Sequence, residues 1–115
     1  MDISSAIDAL AALSQETRLK IFRLLVRHAP KGLRAGEIAQ RLHLPGPTLS
    51  FHLNVLAAAD LVQPHKNGRS ISYSPNVDCV NGVAGFLLEN CCGGQIDCSP
   101  SRDAVKRSAR NRKRR

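Results

Sequence analysis

Residues 61–75, LVQPHKNGRSISYSP, have strand-like patterning on both sides of an Asn67-Gly68 pair. Asn-Gly supplies the backbone conformations that a tight two-residue turn demands, so the segment predicts a β-hairpin. Leu61 and Val62 lead into its first strand, and Ile71 and Tyr73 point one way in its second. The fold must therefore seat one short hairpin, with Lys66, Asn67 and Arg69 at its tip, beside a body that is otherwise helical.

The helices come before and after it. Ile3, Ala6, Ile7, Leu10 and Leu13 recur at helical spacing and predict an amphipathic helix over 3–13. Ser14 is suited to cap the next helix, with Glu16 in its first turn. Leu19, Phe22 and Val26, flanked by Ile21 and Leu25, carry it to His28, where Ala29-Pro30 stops it. After a turn at Lys31-Gly32-Leu33, a third helix runs from Ala35 to Leu42 and buries Ile38 and Leu42. His43 to Gly46 connects tightly to a fourth, with Pro47 at its start. Leu49, Leu53 and Leu56 form its apolar stripe. At 100° per residue Phe51 and Asn54 fall opposite that stripe, flanked by Thr48 and Ser50.

A short helix, a tight turn and a helix with a polar outer face describe helix-turn-helix. With the hairpin following at once, the expected fold is mainly α with a small β-hairpin, a winged helix of order ααααββα. In such a fold the fourth helix enters the major groove of DNA and the wing reaches phosphates. A last helix over 76–90 carries Val77, Val80, Val83, Ala84, Leu87 and Leu88. Its Gly82 and Gly85 predict close backbone packing against another helix. The first and last helices are too apolar to stand free, which predicts a homodimer across a two-fold axis, matched to a palindromic operator.

The net charge of +8 is unevenly spread. Residues 1–101 hold nine Lys/Arg against eight Asp/Glu, whereas 102–115 hold eight Lys/Arg against Asp103 alone. Three regions follow: a winged-helix DNA-binding and dimerisation domain at 1–90, a cysteine loop at 91–101, and a basic tail at 102–115 that is expected to be disordered. The tail either adds salt-dependent, sequence-blind DNA affinity or only solubilises the chain. No apolar run is long enough to span a membrane, and MDISSAIDAL does not have the form of a secretory signal. The expected setting is cytoplasmic, where thiols stay reduced.

Leu13-Ser14-Gln15-Glu16-Thr17-Arg18-Leu19-Lys20-Ile21, then Pro47 to Leu56, then Gly68-Arg69 and Tyr73, resemble the ArsR/SmtB family of metal-responsive repressors over roughly residues 5–90. The resemblance implies a homodimer that sits on its operator without inducer, needs no cofactor to do so, and leaves when a metal or metalloid binds. It also implies that Thr48, Ser50 and His52 face the operator, and that Lys66, Asn67 and Arg69 form the wing contact. Phe51 stands where the family often has histidine, and Pro45-Gly46 where it often has Ser-Gln. An exposed Phe51 suits a thymine methyl group; a half-buried packing role suits the same residue. With Asn54, these residues complete the expected DNA-binding set.

Inducer sites in the family occupy several places. The Cys-Val-Cys type is absent here, since Gly36 to Arg41 contains no thiol, and the last helix offers Asp78 and Glu89 but no histidine for a zinc site. What remains is Cys91, Cys92 and Cys98, in ENCCGGQIDC. Gly93-Gly94 gives the chain freedom to fold back so that three sulfurs meet. Soft thiolates favour soft acceptors, and trivalent arsenic is completed by three sulfurs, whereas zinc normally takes four ligands. The trio also resembles a C-terminal three-cysteine arsenite site of some family members. The expected inducer is As(III), with Sb(III) and methylarsenite as further candidates. Zinc, completed by His28, His43 or His65, and direct thiol oxidation stay open as alternatives within the same fold. An architectural DNA binder acting through the tail is a third. Cys79, single and within a helix, is expected to pack. An enzyme is disfavoured: there is no Cys-x-x-Cys, no anion-binding glycine loop before a helix and no βαβ pattern.

Overall fold

A computed structural model of the chain describes residues 1–90. The elements are α1 (Ile3–Leu13), α2 (Glu16–Arg27), β1 (Leu33–Arg34), α3 (Ala35–Leu42), α4 (Gly46–Ala58), β2 (Val62–Asn67), β3 (Ser70–Pro75) and α5 (Val77–Leu87). The expected order is present, with one addition. The segment expected to be only a turn after α2 contains β1, which pairs antiparallel with β3, Leu33 opposite Tyr73 and Arg34 opposite Ser72. The sheet order is β1-β3-β2, so the wing is pinned to the body through β3 rather than hanging from α4 alone.

Gly32 makes that pairing possible. Its φ is +77°, and a Cβ there would run into the Tyr73 carbonyl. Both the left-handed backbone and the close approach of two strands demand glycine. At the wing tip, Asn67 pairs with Ser70. The central turn residues are therefore Gly68, at φ +63°, and Arg69, one position along from the expected Asn67-Gly68.

One core unites the elements: Ala9 and Ala12 from α1, Ile21, Phe22 and Leu25 from α2, Ile38 from α3, Leu49, Leu53 and Leu56 from α4, then Leu61, Val62 and Val83. The stripe of α4 faces inward as expected, and on α3 Ile38 is fully buried while Leu42 is only partly so. On α1 the inward face is Ala6, Ala9 and Ala12, while Ile3 and Ile7 are 63% and 57% exposed. The large apolar residues Ile3, Ile7 and Leu10 lie outside, in keeping with a helix expected to be too apolar to stand free. Leu19 and Val26 of α2 are likewise exposed, with Ile21 and Leu25 buried in their place. Small residues on α1 let the helices beneath it come close; its isoleucines are left for another surface.

One local expectation is corrected. Gln15, not Ser14, caps α2, its Oε1 accepting from the Arg18 N–H at 2.8 Å; the Ser14 hydroxyl instead donates to the Ala11 carbonyl at 2.7 Å. A Cβ on Gly82 would meet only the end of the Met1 side chain at 3.2 Å, and one on Gly85 would meet nothing within 4 Å. Neither glycine is required by helix packing within the subunit. Among the described residues no helix is long and apolar enough to cross a membrane.

Gly32→Ala is expected to destabilise the fold by roughly 3 kcal/mol, combining a disfavoured φ with a backbone clash. Gly36→Ala, where an added Cβ meets nothing within 4 Å, is expected to be neutral or slightly stabilising within α3. Urea titrations followed by circular dichroism check both.

Candidate nucleic-acid interface

The geometry of α4 begins with the turn before it. His43 takes a left-handed conformation, φ 54°, and the Leu44 N–H closes on the Ala39 carbonyl at 3.0 Å. This ends α3 and redirects the chain within three residues. Pro47 then falls in the first turn of α4, where its missing N–H leaves no helical bond unmade. With Leu49, Leu53 and Leu56 buried, the opposite face looks outward. Thr48, Ser50, Phe51 and Asn54 are all exposed there, as the helical plot predicts.

His52 is the correction. Expected to face the operator, it is buried, about 9% exposed. Three residues after Leu49 and four before Leu56, it shares their side of the helix. Its Nδ1 lies 3.4 Å from Arg18 Nη1. A guanidinium has only donors, so Nδ1 is assigned as the acceptor. Arg18 also donates through Nε to the Ala12 carbonyl at 2.7 Å. One arginine thus joins the end of α1 to the middle of α4. Phe51, 61% exposed, sets its ring edge-on to His52, with centroids 5.4 Å apart and planes at 67°.

The wing presents a polar and basic surface, with Lys66, Asn67 and Arg69 all exposed. His65 Nε2 and Ser74 Oγ, 2.8 Å apart, tie its two strands. Because β1 pairs with β3, Arg34 is carried towards the wing. It lines a depression of about 620 Å³ together with Gln40, Glu37, Arg69 and Ser70. Arg34 and Gln40 were missed by sequence reasoning, since nothing short of the β1 pairing reveals that they approach the hairpin. Glu37 accepts from the Arg34 backbone N–H at 3.2 Å and from its Nε at 3.3 Å. The backbone bond chiefly, and the side-chain bond after it, hold the Glu37 carboxyl below the usual range. Glu37 thereby offsets Arg34, and Arg69 is the cation in the depression that remains uncompensated among its lining residues.

Hydroxyls, an amide and a ring on a projecting helix, beside a cationic wing, suit base edges and phosphates. Among the described residues, no group of three or more His, Cys, Asp or Glu is arranged to hold a metal ion. Cys91, Cys92 and Cys98 lie outside the described residues, as does the basic tail. Cys79 is partly buried, with its Sγ 3.8 Å from the Ala59 carbonyl. Burial first, and the Asp60 charge second, push its thiol pKa up. A raised pKa leaves less thiolate at any given pH, and thiolate is the reactive form. In a chain with Cys91, Cys92 and Cys98 changed to serine, Cys79 is therefore expected to react with iodoacetamide several-fold more slowly than glutathione at pH 7.5. The rate should still be climbing above the pH at which glutathione levels off, and mass spectrometry of timed samples measures it.

A helix-turn-helix domain model matches residues 13–65, from the end of α1 into the wing. The transcriptional repressor SdpR of Bacillus subtilis (strain 168) is 37% identical over 82 residues, covering 66% of this chain and 86% of that protein. The nodulation protein NolR of Rhizobium meliloti is 30% identical over 108 residues, covering 94% of this chain and 85% of that protein. Among solved structures, an ArsR-like transcriptional regulator from Rhodococcus sp. RHA1 superposes with a TM-score of 0.65 at 33% identity, covering 76% of this chain and 78% of that one. With its winged helix-turn-helix in the same arrangement, the chain belongs to the ArsR family of DNA-binding transcriptional regulators, which are not enzymes.

Proposed function

We propose that two copies of this chain form a repressor that holds a palindromic operator through α4 and the wing, and releases it when As(III) is bound by Cys91, Cys92 and Cys98. The observation that carries the DNA-binding half is the polar strip of α4 and the basic wing tip, held on one frame by the β1–β3 pairing. SdpR is a transcriptional repressor, and the same role is assigned here. Pairing of two copies is supported by the apolar outer surface of two helices that pack on each other: Ile3, Ile7 and Leu10 of α1, with Val77 and Leu87 of α5. A face this apolar is characteristic of an interaction surface.

The arsenic half rests on donor chemistry. Three thiols fall within eight residues, starting four positions after Leu87. Arsenous acid condenses with three thiols to form three As–S bonds and three waters, with no net release of protons. Antimonite can do the same, and methylarsenite needs only two of the sulfurs. Capture would tether the segment that follows α5, and α5 belongs to the surface assigned to pairing. A hundredfold weakening of the operator complex needs about 2.7 kcal/mol of coupling, which lies within the ordinary allosteric range.

Fluorescence anisotropy of the full-length protein on its operator is the test. Arsenite is expected to release the wild type, and Cys91→Ser, Cys92→Ser and Cys98→Ser are each expected to stay bound. Normal release by any variant removes that cysteine from the ligand set; release by zinc or peroxide but not arsenite overturns the inducer. For the wing, Lys66→Ala and Arg69→Ala are each expected to flatten the dependence of log K on log salt by about 2 for the dimer, one phosphate contact per subunit. An unchanged slope would take that residue off the phosphate backbone.

A further inference from the structure

We infer that Phe51 is a specificity-determining residue of α4 and reads the 5-methyl group of a thymine in each operator half-site, an inference that rests on the proposed entry of α4 into the major groove. Phe51 is the one large apolar side chain that α4 exposes among the described residues, and it takes no part in the core. It stands apart from the apolar surface of α1 and α5, because its neighbours on the outer face are Thr48, Ser50 and Asn54. Folding gains little from a phenyl ring in water. A hydroxyl or amide here would match its surroundings better, unless the ring has an apolar target.

The major groove offers one. Base edges there present the acceptors N7, O6 and O4 and the amino donors, and the C5-methyl of thymine is their only apolar group. A phenyl ring has neither donor nor acceptor with which to read the others. Its place on the helix fits the task. Phe51 lies midway in the row Thr48, Phe51, Asn54, three residues from each, or about 4.5 Å along the axis. That is on the order of one base-pair step, so the polar residues on either side can meet neighbouring bases while the ring meets the methyl. The ring also has one partner within the subunit. Its edge-to-face pairing with His52 is modestly favourable, and His52 is itself buried and in contact with Arg18. That bias towards one rotamer lowers the ordering cost of a contact with DNA.

The experiment uses the full-length protein. An operator is first selected from a pool of random duplexes, and each thymine of a half-site is then replaced in turn by deoxyuridine, which removes only the methyl group. Wild-type protein is expected to lose about fourfold in affinity at one position, and about fifteen-fold when both half-sites carry the change, as burial of a single methyl-sized group implies. Phe51→Ala is expected to be indifferent at that position while still responding to a base-pair exchange elsewhere in the half-site. Phe51→Leu, which keeps an apolar contact, should retain part of the response. Four outcomes overturn the inference: a selected half-site without thymine, a wild type indifferent to every replacement, a Phe51→Ala loss equal to that of the wild type, or a Phe51→Ala protein that changes its sedimentation in the absence of DNA, which would assign the ring to a protein contact. If the wild type selects no sequence at all from the pool, it is the major-groove assignment that fails, and the two failures are thus told apart.

Discussion

Leu49, Leu53 and Leu56 are almost inaccessible to solvent, and the orientation of α4 depends on them. Each buried leucine contributes about 1.5–3 kcal/mol, so turning the helix by even one residue, which would bring the stripe out and the polar strip in, is prohibitive. The outer face can therefore consist of residues that do nothing for stability. Arg18 adds a second hold of a different kind. By reaching both the Ala12 carbonyl and the His52 ring, it connects the last turn of α1 to the middle of α4. A displacement of α1 cannot leave α4 unaffected, because the same side chain serves both.

Much of this was legible in the chain, and what was not has identifiable causes. The stripe of α4 and the Asn67-Gly68 region gave the fold class without any contact being known. Periodicity says which residues share a helix face, but not which face turns inward. On α1 the alanines and the isoleucines form two faces of comparable apolarity, and the larger one lies outside. Bulk alone does not say which of two such faces a single subunit buries, and here the alanine face is the one that packs inward. His52 failed for a simpler reason: the resemblance placed it outward, whereas its spacing from Leu49 and Leu56 placed it inward, and the spacing was correct. β1 has only two residues, too few for any alternation to register, and with it went the approach of Arg34 and Gln40 to the wing.

The apolar face of α1 and α5 is also where pairing and induction would meet. The cysteine segment begins just beyond α5, and α5 packs on α1, which Arg18 links to α4. If a change at the end of α5 reaches the groove-facing strip from within one subunit, α1 is its shortest mechanical route. Across a pair of subunits the same helices would set the separation of the two recognition helices. Both routes pass through α1 and α5, so an inducer site at 91–98, as proposed, would have leverage on DNA without touching it.

Charge decides how much the outer strip of α4 has to do. Residues 1–101 carry nine basic against eight acidic side chains, and one of the cations near the wing, Arg34, is offset by Glu37. A body so nearly neutral gains little from general attraction to phosphate, and any attraction lent by the basic residues of 102–115 would be indifferent to sequence. Neither source distinguishes an operator from the rest of a genome. With α4 in the major groove as proposed, short-range contacts at base edges would fall to the few side chains that it projects: two hydroxyls, one amide and one ring. The hydroxyls are tolerant of either donor or acceptor. That leaves Asn54 and Phe51 as the residues with the narrowest choice of partner, the first through paired hydrogen bonds and the second through the absence of any.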